Sequence, residues 1–288
     1  MANKKRLPRY GRVPKPPAIR LTERDRHILE AIHSFDGMLG FSQIRRLFFT
    51  GKSQAEERLK LLYQNGYLNR PNRGQRMRMP EMVYWLDRAG AEIVASLTGT
   101  PVNKLGWRRE PRWFQVEHDL AVNNFRLDLI EACHDDAEIS LEVWVPESEF
   151  WANPDTIVYT NKGKEIWRQI RPDGYFMLAT PKLYLRYLVE IDRSTEDNPR
   201  FFREKILPGM AYLNSEEYGD RFGHRSGRWL IVTTTERRLR NMLSQAERKT
   251  KGLFYFTTYD KLSSKTILHA PIWKREDRKE LVPLLFIG

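Results

Sequence analysis

Between Leu21 and Leu86 turn signals interrupt the apolar pattern so often that only short, closely packed elements fit between them. Leu21, Asp25, Ile28, Leu29 and Ile32 recur at helical spacing, and Thr22 with Asp25 resembles a capping box in which Asp replaces Glu. Asp36-Gly37 ends this first helix. Ser42 is expected to cap a short second helix bearing Ile44, Leu47 and Phe48, and Thr50-Gly51-Lys52 makes a turn. Ser53 and Glu56 read as a capping box for a third helix with Ala55, Leu59, Leu62 and Tyr63 on its apolar face, stopped by Asn65-Gly66. One strand opens at Tyr67-Leu68, a second runs over Met82–Leu86, and Asp87 caps a further helix from Arg88 to Leu97. Residues 70–80 hold Arg70, Arg73, Arg76 and Arg78 and no acid. Three helices, a strand, a basic loop and a strand is the order of a winged helix-turn-helix.

The charge agrees with that order. Residues 1–115 carry 23 Lys+Arg against 10 Asp+Glu, a net +13, so the rest of a chain of net +12 is at −1. One basic block beside a near-neutral one points to a polyanion meeting the first block. On the third helix Gln54 and Arg58 suit base edges and Lys60 suits phosphate. Together with Lys52 and the arginines at 70, 73, 76 and 78, they form the candidate DNA face. Residues 1–20, with seven basic residues, no acid and four prolines, are expected to form a flexible basic arm. The expected divisions are therefore an arm over 1–20, a winged helix-turn-helix over 21–98, a connector over 99–115 that docks through Trp107, Trp113 and Phe114, and a second domain over 116–288.

That second domain begins with a long amphipathic helix, Val116–Cys133. Strand-like runs follow at Leu141–Val145, Ile157–Tyr159, Tyr175–Leu178, Leu183–Ile191, Trp229–Thr233 and Leu253–Thr257, with helical patterns at Phe201–Leu213 and Glu236–Arg248. The mixture implies an α+β chain whose second domain is a layered α/β structure. On the run ending at Asp192, parity puts Leu188, Glu190 and Asp192 on one face, with the two carboxylate Cα atoms about 6.6 Å apart at ~3.3 Å per residue. Asp173, after Arg171-Pro172, introduces another strand. These acids either converge on a hard cation or pair with Arg171, Arg193 or Arg203.

Other chemistry finds no pattern. The sequence has no Gly-rich phosphate loop, no zinc spacing and no nucleophile elbow. The single Cys133, the lack of an apolar leader and the lack of a membrane-length apolar run lead us to expect a cytoplasmic protein with no membrane partner.

The ordered segments LTERDRHILEAI, SQAEERLKLLYQNGYL, YWLDRAGAEIV, RPDGYF and YLVEIDRST resemble the replication-relaxation family of plasmids and integrative elements, over roughly residues 21–260. The resemblance implies a winged helix-turn-helix joined to a restriction-endonuclease-like PD-(D/E)xK domain. In that fold an Asp and a Glu hold Mg²⁺ and a Lys orients the attacking water. Asp173 matches the first and Glu190 the second, which makes them the expected metal ligands. Where the pattern has Lys this chain has Asp192 and then Arg193, and Lys205 on the following helix is the candidate substitute. The candidate catalytic set is thus Asp173, Glu190, Asp192 and Lys205. Three functions stay open. The first is a sequence- or structure-directed double-stranded DNA-binding accessory protein in replication/relaxation or mobilisation, working with replication or mobilisation proteins or as a homodimer. The others are a Mg-dependent endonuclease and a transcriptional regulator with a non-catalytic nuclease-like domain.

Overall fold

The computed structural model describes residues 7–193, 198–246 and 250–285. The chain is a mixed α+β protein of two compact units, Met1–Asn123 and Asn124–Gly288. Among the described residues no helix is long and apolar enough to cross a membrane.

In the first unit α1 (Glu23–Ser34) opens on the expected capping box: Thr22 N–H donates to Asp25 Oδ2 at 2.7 Å and Asp25 N–H to Thr22 Oγ1 at 3.3 Å. It stops where Asp36 and Gly37 take φ of 57° and 86°. β1 (Met38–Gly40) follows, too short for alternation to show in the sequence. α2 (Phe41–Phe48) is capped at Gly40, whose N–H donates to Gln43 Oε1 at 2.9 Å. Ser42, expected as the cap, lies inside the helix instead, where its N–H and hydroxyl go to Glu81 at 2.6 and 2.7 Å. A Cβ on Gly40 would meet Glu81 Oε1 at 2.5 Å, so a larger residue there would push that carboxylate aside.

α3 (Lys52–Gln64) starts at Gly51 without a side-chain cap. The Ser53/Glu56 box does not form, because the helix begins two residues earlier than the box requires and both side chains are exposed. Its stripe of Ala55, Leu59, Leu62 and Tyr63 is buried as expected. β2 (Leu68–Asn69), a short α4 (Arg73–Arg76) and β3 (Val83–Leu86) come next, and the strands pair antiparallel in the order β1-β3-β2. α5 (Arg88–Thr98) is capped by Asp87 and packs so closely on the turn before β2 that a Cβ on Gly90 would stand 2.1 Å from Tyr67 O. After a 3₁₀ turn at Val102–Lys104, the connector lies against the sheet through Trp107 and Trp113, while Phe114, expected to dock with them, is 84% exposed. Trp107 Nε1 donates to Leu86 O at 2.9 Å, Trp85 Nε1 to Arg109 O at 2.8 Å, and Trp113 meets Trp85 edge-on at 5.4 Å.

Residues 7–20, expected as a flexible arm, are held along α3, and residues 1–6 lie outside the described residues. Arg12 donates to Tyr63 O at 2.8 Å and Leu68 O at 2.9 Å, and Gln64 exchanges bonds with Val13 N–H at 2.9 Å and Gly11 O at 2.8 Å. The open carbonyls at the end of a helix attract cations, which the composition of the arm alone does not reveal.

α6 (Val116–His134) leads into the second unit. There β4 (Ser140–Pro146), α7 (Glu147–Ala152), the separate hairpin β5 (Asp155–Asn161) and β6 (Lys164–Ile170), β7 (Gly174–Ala179) and β8 (Tyr184–Ile191) follow in turn. α8 (Asn198–Phe201), a π-helical turn at Phe202–Ile206, α9 (Leu207–Leu213) and α10 (Glu216–Phe222) lead to β9 (Arg228–Thr233), α11 (Glu236–Ala246), β10 (Phe254–Thr258) and β11 (Lys274–Arg275). Residues 247–248, the end of the expected last helix, lie outside the described residues.

The main sheet runs β11-β10-β9-β8-β7-β4, with β4, β7 and β8 antiparallel and β8, β9 and β10 parallel. Tyr175, Leu188, Ile231 and Phe256 face Phe201, Ile206, Leu239 and Met242 of the covering helices. On the other face Phe176 packs between Phe125 of α6 and Tyr187, at 6.0 and 5.1 Å. β6, α7, α10 and β11 were not expected. Ile166, Trp167 and Ile170 of β6 lack strict alternation, and the other three elements are seven residues or shorter.

Candidate functional site

Two groups of expected site residues lie in separate units. In the first, Lys52 and Gln54 are exposed on the opening turn of α3, and Lys60 is half-buried two turns on. Arg73 and Arg78 are exposed in the β2–β3 connection, while Arg76 is half-buried and donates to Met79 O at 2.7 Å. The other two arginines turn inward. Arg70 is 6% exposed and stacks 4.0 Å from the Tyr63 ring centre, with Arg12 at 4.7 Å from the same ring.

Arg58 donates through Nε to Asp25 Oδ1 at 2.7 Å, pairs through Nη2 with Asp25 Oδ2, and reaches Arg20 O at 2.9 Å. Asp25 is fully buried, and that burial raises its pKa, but the hydrogen bonds from Arg58 and Thr22 outweigh it and hold the carboxyl below its ordinary range. This placement corrects the expectation that Arg58 reads bases, because its fork is spent inside the fold. The signal was present in the sequence: an acid on the apolar stripe of α1 requires a buried cation.

In the second unit the β7–β8 register pairs Gly174 with Val189, and one step further sets Asp173 beside Glu190. Asp173 N–H donates to Val189 O at 2.9 Å, and Asp173 Oδ2 accepts Ile191 N–H at 2.6 Å. Glu190 Oε1 lies 2.7 Å from Lys205 Nζ. Asp173 and Glu190 are 5% and 7% exposed. Lys205 sits in the π-helical turn, and the cause of that turn is local. Pro208 has no N–H for the carbonyl of Glu204, and Leu207 N–H bonds Phe202 O five residues back. Lys205 thus brings a cation to Glu190 from the helical segment after β8.

Asp192, expected in the catalytic set, is taken up elsewhere. Arg238 grips both its oxygens at 2.9 Å, and the Thr233 hydroxyl donates to it at 2.6 Å. β9 runs parallel beside β8, so the first turn of α11 arrives above the end of β8 and brings Arg238 with it. Arg171, another expected partner, stacks instead on Trp151 at 3.9 Å.

Two residues of this region were not anticipated. Glu147 follows Pro146, which pairs with Gly174, and its carboxylate comes within 4.8 Å of that of Asp173. Tyr259 lies in the field of all three acids: burial first, then the charges of Asp173, Asp192 and Glu190, push its phenol up. Neither residue has a sequence signal, since only strand pairing brings them in.

The structure of restriction endonuclease FokI bound to DNA matches at 13% identity and a TM-score of 0.27, over 85% of this chain and 45% of that one. A second FokI structure matches at 12% identity and 0.28, over 84% and 44%. The chain thus spans less than half of the FokI chain, and a likeness this distant carries no argument. No curated protein matches the sequence. A family model described as replication-relaxation matches residues 29–206, more than half of the chain, and the protein belongs to that family.

Proposed function

We propose that the protein binds double-stranded DNA through a winged helix-turn-helix in its first unit, as an accessory factor in the replication, relaxation or mobilisation of a plasmid or integrative element. One observation carries the reading. The order helix, strand, helix, helix, strand, a short helical turn (α4) and strand leaves Lys52 and Gln54 exposed on α3, and Arg73 and Arg78 exposed on the β2–β3 connection, within the part of the chain that holds the +13 excess. α3 presents groove-reading groups and the connection presents phosphate-holding ones. Fluorescence anisotropy of the full chain on labelled duplexes tests this. Affinity is expected to fall steeply with salt, because neutralised phosphates release counterions. Equal affinity at low and high salt would refute it.

A second reading, a Mg-dependent endonuclease, is favoured by the contact of Lys205 with Glu190. The order α6, β4, β7, β8, a helical segment and β9, with three antiparallel strands and then a parallel one, suits a restriction-endonuclease-like fold. Asp173 and Glu147, whose carboxylates come within 4.8 Å of each other, are hard oxygen donors that fit Mg²⁺, and Glu190 stands beside Asp173 on the neighbouring strand. The ion would supply Lewis-acid polarisation of a phosphodiester. The chain's own part is to hold the Asp173 carboxylate on Ile191 N–H and to place the Lys205 ammonium where negative charge develops. Nicking of supercoiled DNA that requires Mg²⁺ or Mn²⁺ and is lost in Asp173→Asn supports this reading. Intact DNA with either metal ends it.

A further inference from the structure

Three residues into β8, roughly 13 Å before Glu190 at ~3.3 Å per residue, lies a buried cation that has no counter-ion among the described residues. Arg186 is 7% exposed. Among the described residues its guanidinium reaches neutral acceptors, Tyr184 O at 3.3 Å, Ser226 Oγ at 3.5 Å and the Tyr175 hydroxyl, and its buried Nε has no hydrogen-bond partner. The neighbouring phenols of Tyr175 and Tyr218 are pushed up, chiefly by burial, so they are neutral and supply no charge. A guanidinium removed from water without an anion is among the costliest arrangements a fold can hold.

The surroundings point to what completes it. The segment Gly223–Arg228 brings Ser226 against the guanidinium and contains His224, Arg225 and Arg228 but no acid. His224, Arg225 and Ser226 are exposed, and Tyr184, whose ring centre lies 5.7 Å from the guanidinium carbon, is 55% exposed. Arg186 therefore sits one hydroxyl below an exposed segment that carries His224 and Arg225. Its planar fork matches a tetrahedral oxyanion, and a serine hydroxyl can donate to the same oxygens.

We propose that Arg186 and Ser226, with Arg225 at the mouth, form a binding site for a phosphate group, either free or carried by a nucleic acid. This site shares no residue with the proposed DNA face or with the Asp173–Glu190 pair, and it stands if either of those readings fails.

Thermal unfolding of the full chain in sodium phosphate and in sodium chloride of equal ionic strength tests the proposal. Phosphate is expected to raise Tm by about 5 °C beyond chloride at concentrations far above its Kd. Arg186→Met is expected to lose that increment and to melt no lower than the wild type in chloride, because it removes an uncompensated charge. Ser226→Ala, a change at the surface, should shrink the increment, and it decides the matter if Arg186→Met fails to fold. Equal melting in the two salts, or a full increment in Ser226→Ala, would overturn the site. Duplex binding then distinguishes the sources. Weaker binding by Arg186→Met assigns the phosphate to DNA, and unchanged binding with loss of the increment assigns it to a free phosphate. Either result supports the site.

Discussion

The Lys205 ammonium rests 2.7 Å from Glu190 Oε1, so a cation from the helical segment after β8 meets a carboxylate on β8 itself. Glu190 is buried and Lys205 about one-third exposed, which gives the pair unequal partners. Lys205→Met is expected to cost about 1–3 kcal/mol, below the full penalty of stranding a buried charge because water screens the lysine. Adding Glu190→Gln should return part of that loss. Urea melts of the two single variants and the double variant check this, and additive losses would show that the groups are not coupled.

Asp25 and Arg58 predict a pH dependence. Asp25 is held below the ordinary carboxylate range in the folded chain and returns to it on unfolding, so its stabilisation is fully present above about pH 3.9. It is lost as pH falls through the depressed folded value. Asp25→Asn should flatten the acid limb of the stability curve, and Arg58→Met should cost about 3–5 kcal/mol near neutral pH by leaving a fully buried carboxylate. An Arg58→Met protein as stable as the wild type, with altered sequence preference, would restore Arg58 to the DNA face.

On that face the exposed arginines should act through phosphate alone. Arg73→Ala with Arg78→Ala is expected to weaken binding to specific and random duplexes equally and to lower the slope of log affinity against log salt by about 2. Gln54→Ala should weaken only the preferred duplex, by about 1–3 kcal/mol. Anisotropy titrations at several salt concentrations separate the two, and a uniform loss from Gln54→Ala would remove groove reading from α3.

Gly90 offers a test of packing. Its missing Cβ leaves room for Tyr67 O, which an alanine would meet at 2.1 Å. Gly90→Ala should therefore destabilise by about 1–3 kcal/mol or more, although alanine favours helix. A neutral result by thermal melting would mean that α5 does not pack as described.

Much of the framework was legible in the sequence because it is local. Thr22 with Asp25, Asp36-Gly37, Asn65-Gly66 and Asp87 each mark a helix end through bonds spanning a few residues, and the structure has all four ends. β8 marked itself as a strand through the apolar face of Leu185, Tyr187, Val189 and Ile191. The helix starts at Gly40 and Gly51 were misplaced because serines nearby are stronger cap formers, and tertiary contact set the boundary instead.

At the acidic site strand parity singled out Glu190, and the resemblance singled out Asp173 at the start of the neighbouring strand. Asp192 shows the limit: its face was right, but its partner Arg238 lies 46 residues away and depends on a parallel crossover. Glu147 and Tyr259 were invisible for the same reason.

Glu81 gives the proposed interface one more property. By accepting both the N–H and the hydroxyl of Ser42, it pins the exit of the β2–β3 connection to the first turn of α2. That end of the arginine-bearing loop enters an encounter with its motional freedom already given up. The immobilisation was completed when the chain folded, and less of the attraction between arginines and phosphates is consumed in ordering the loop.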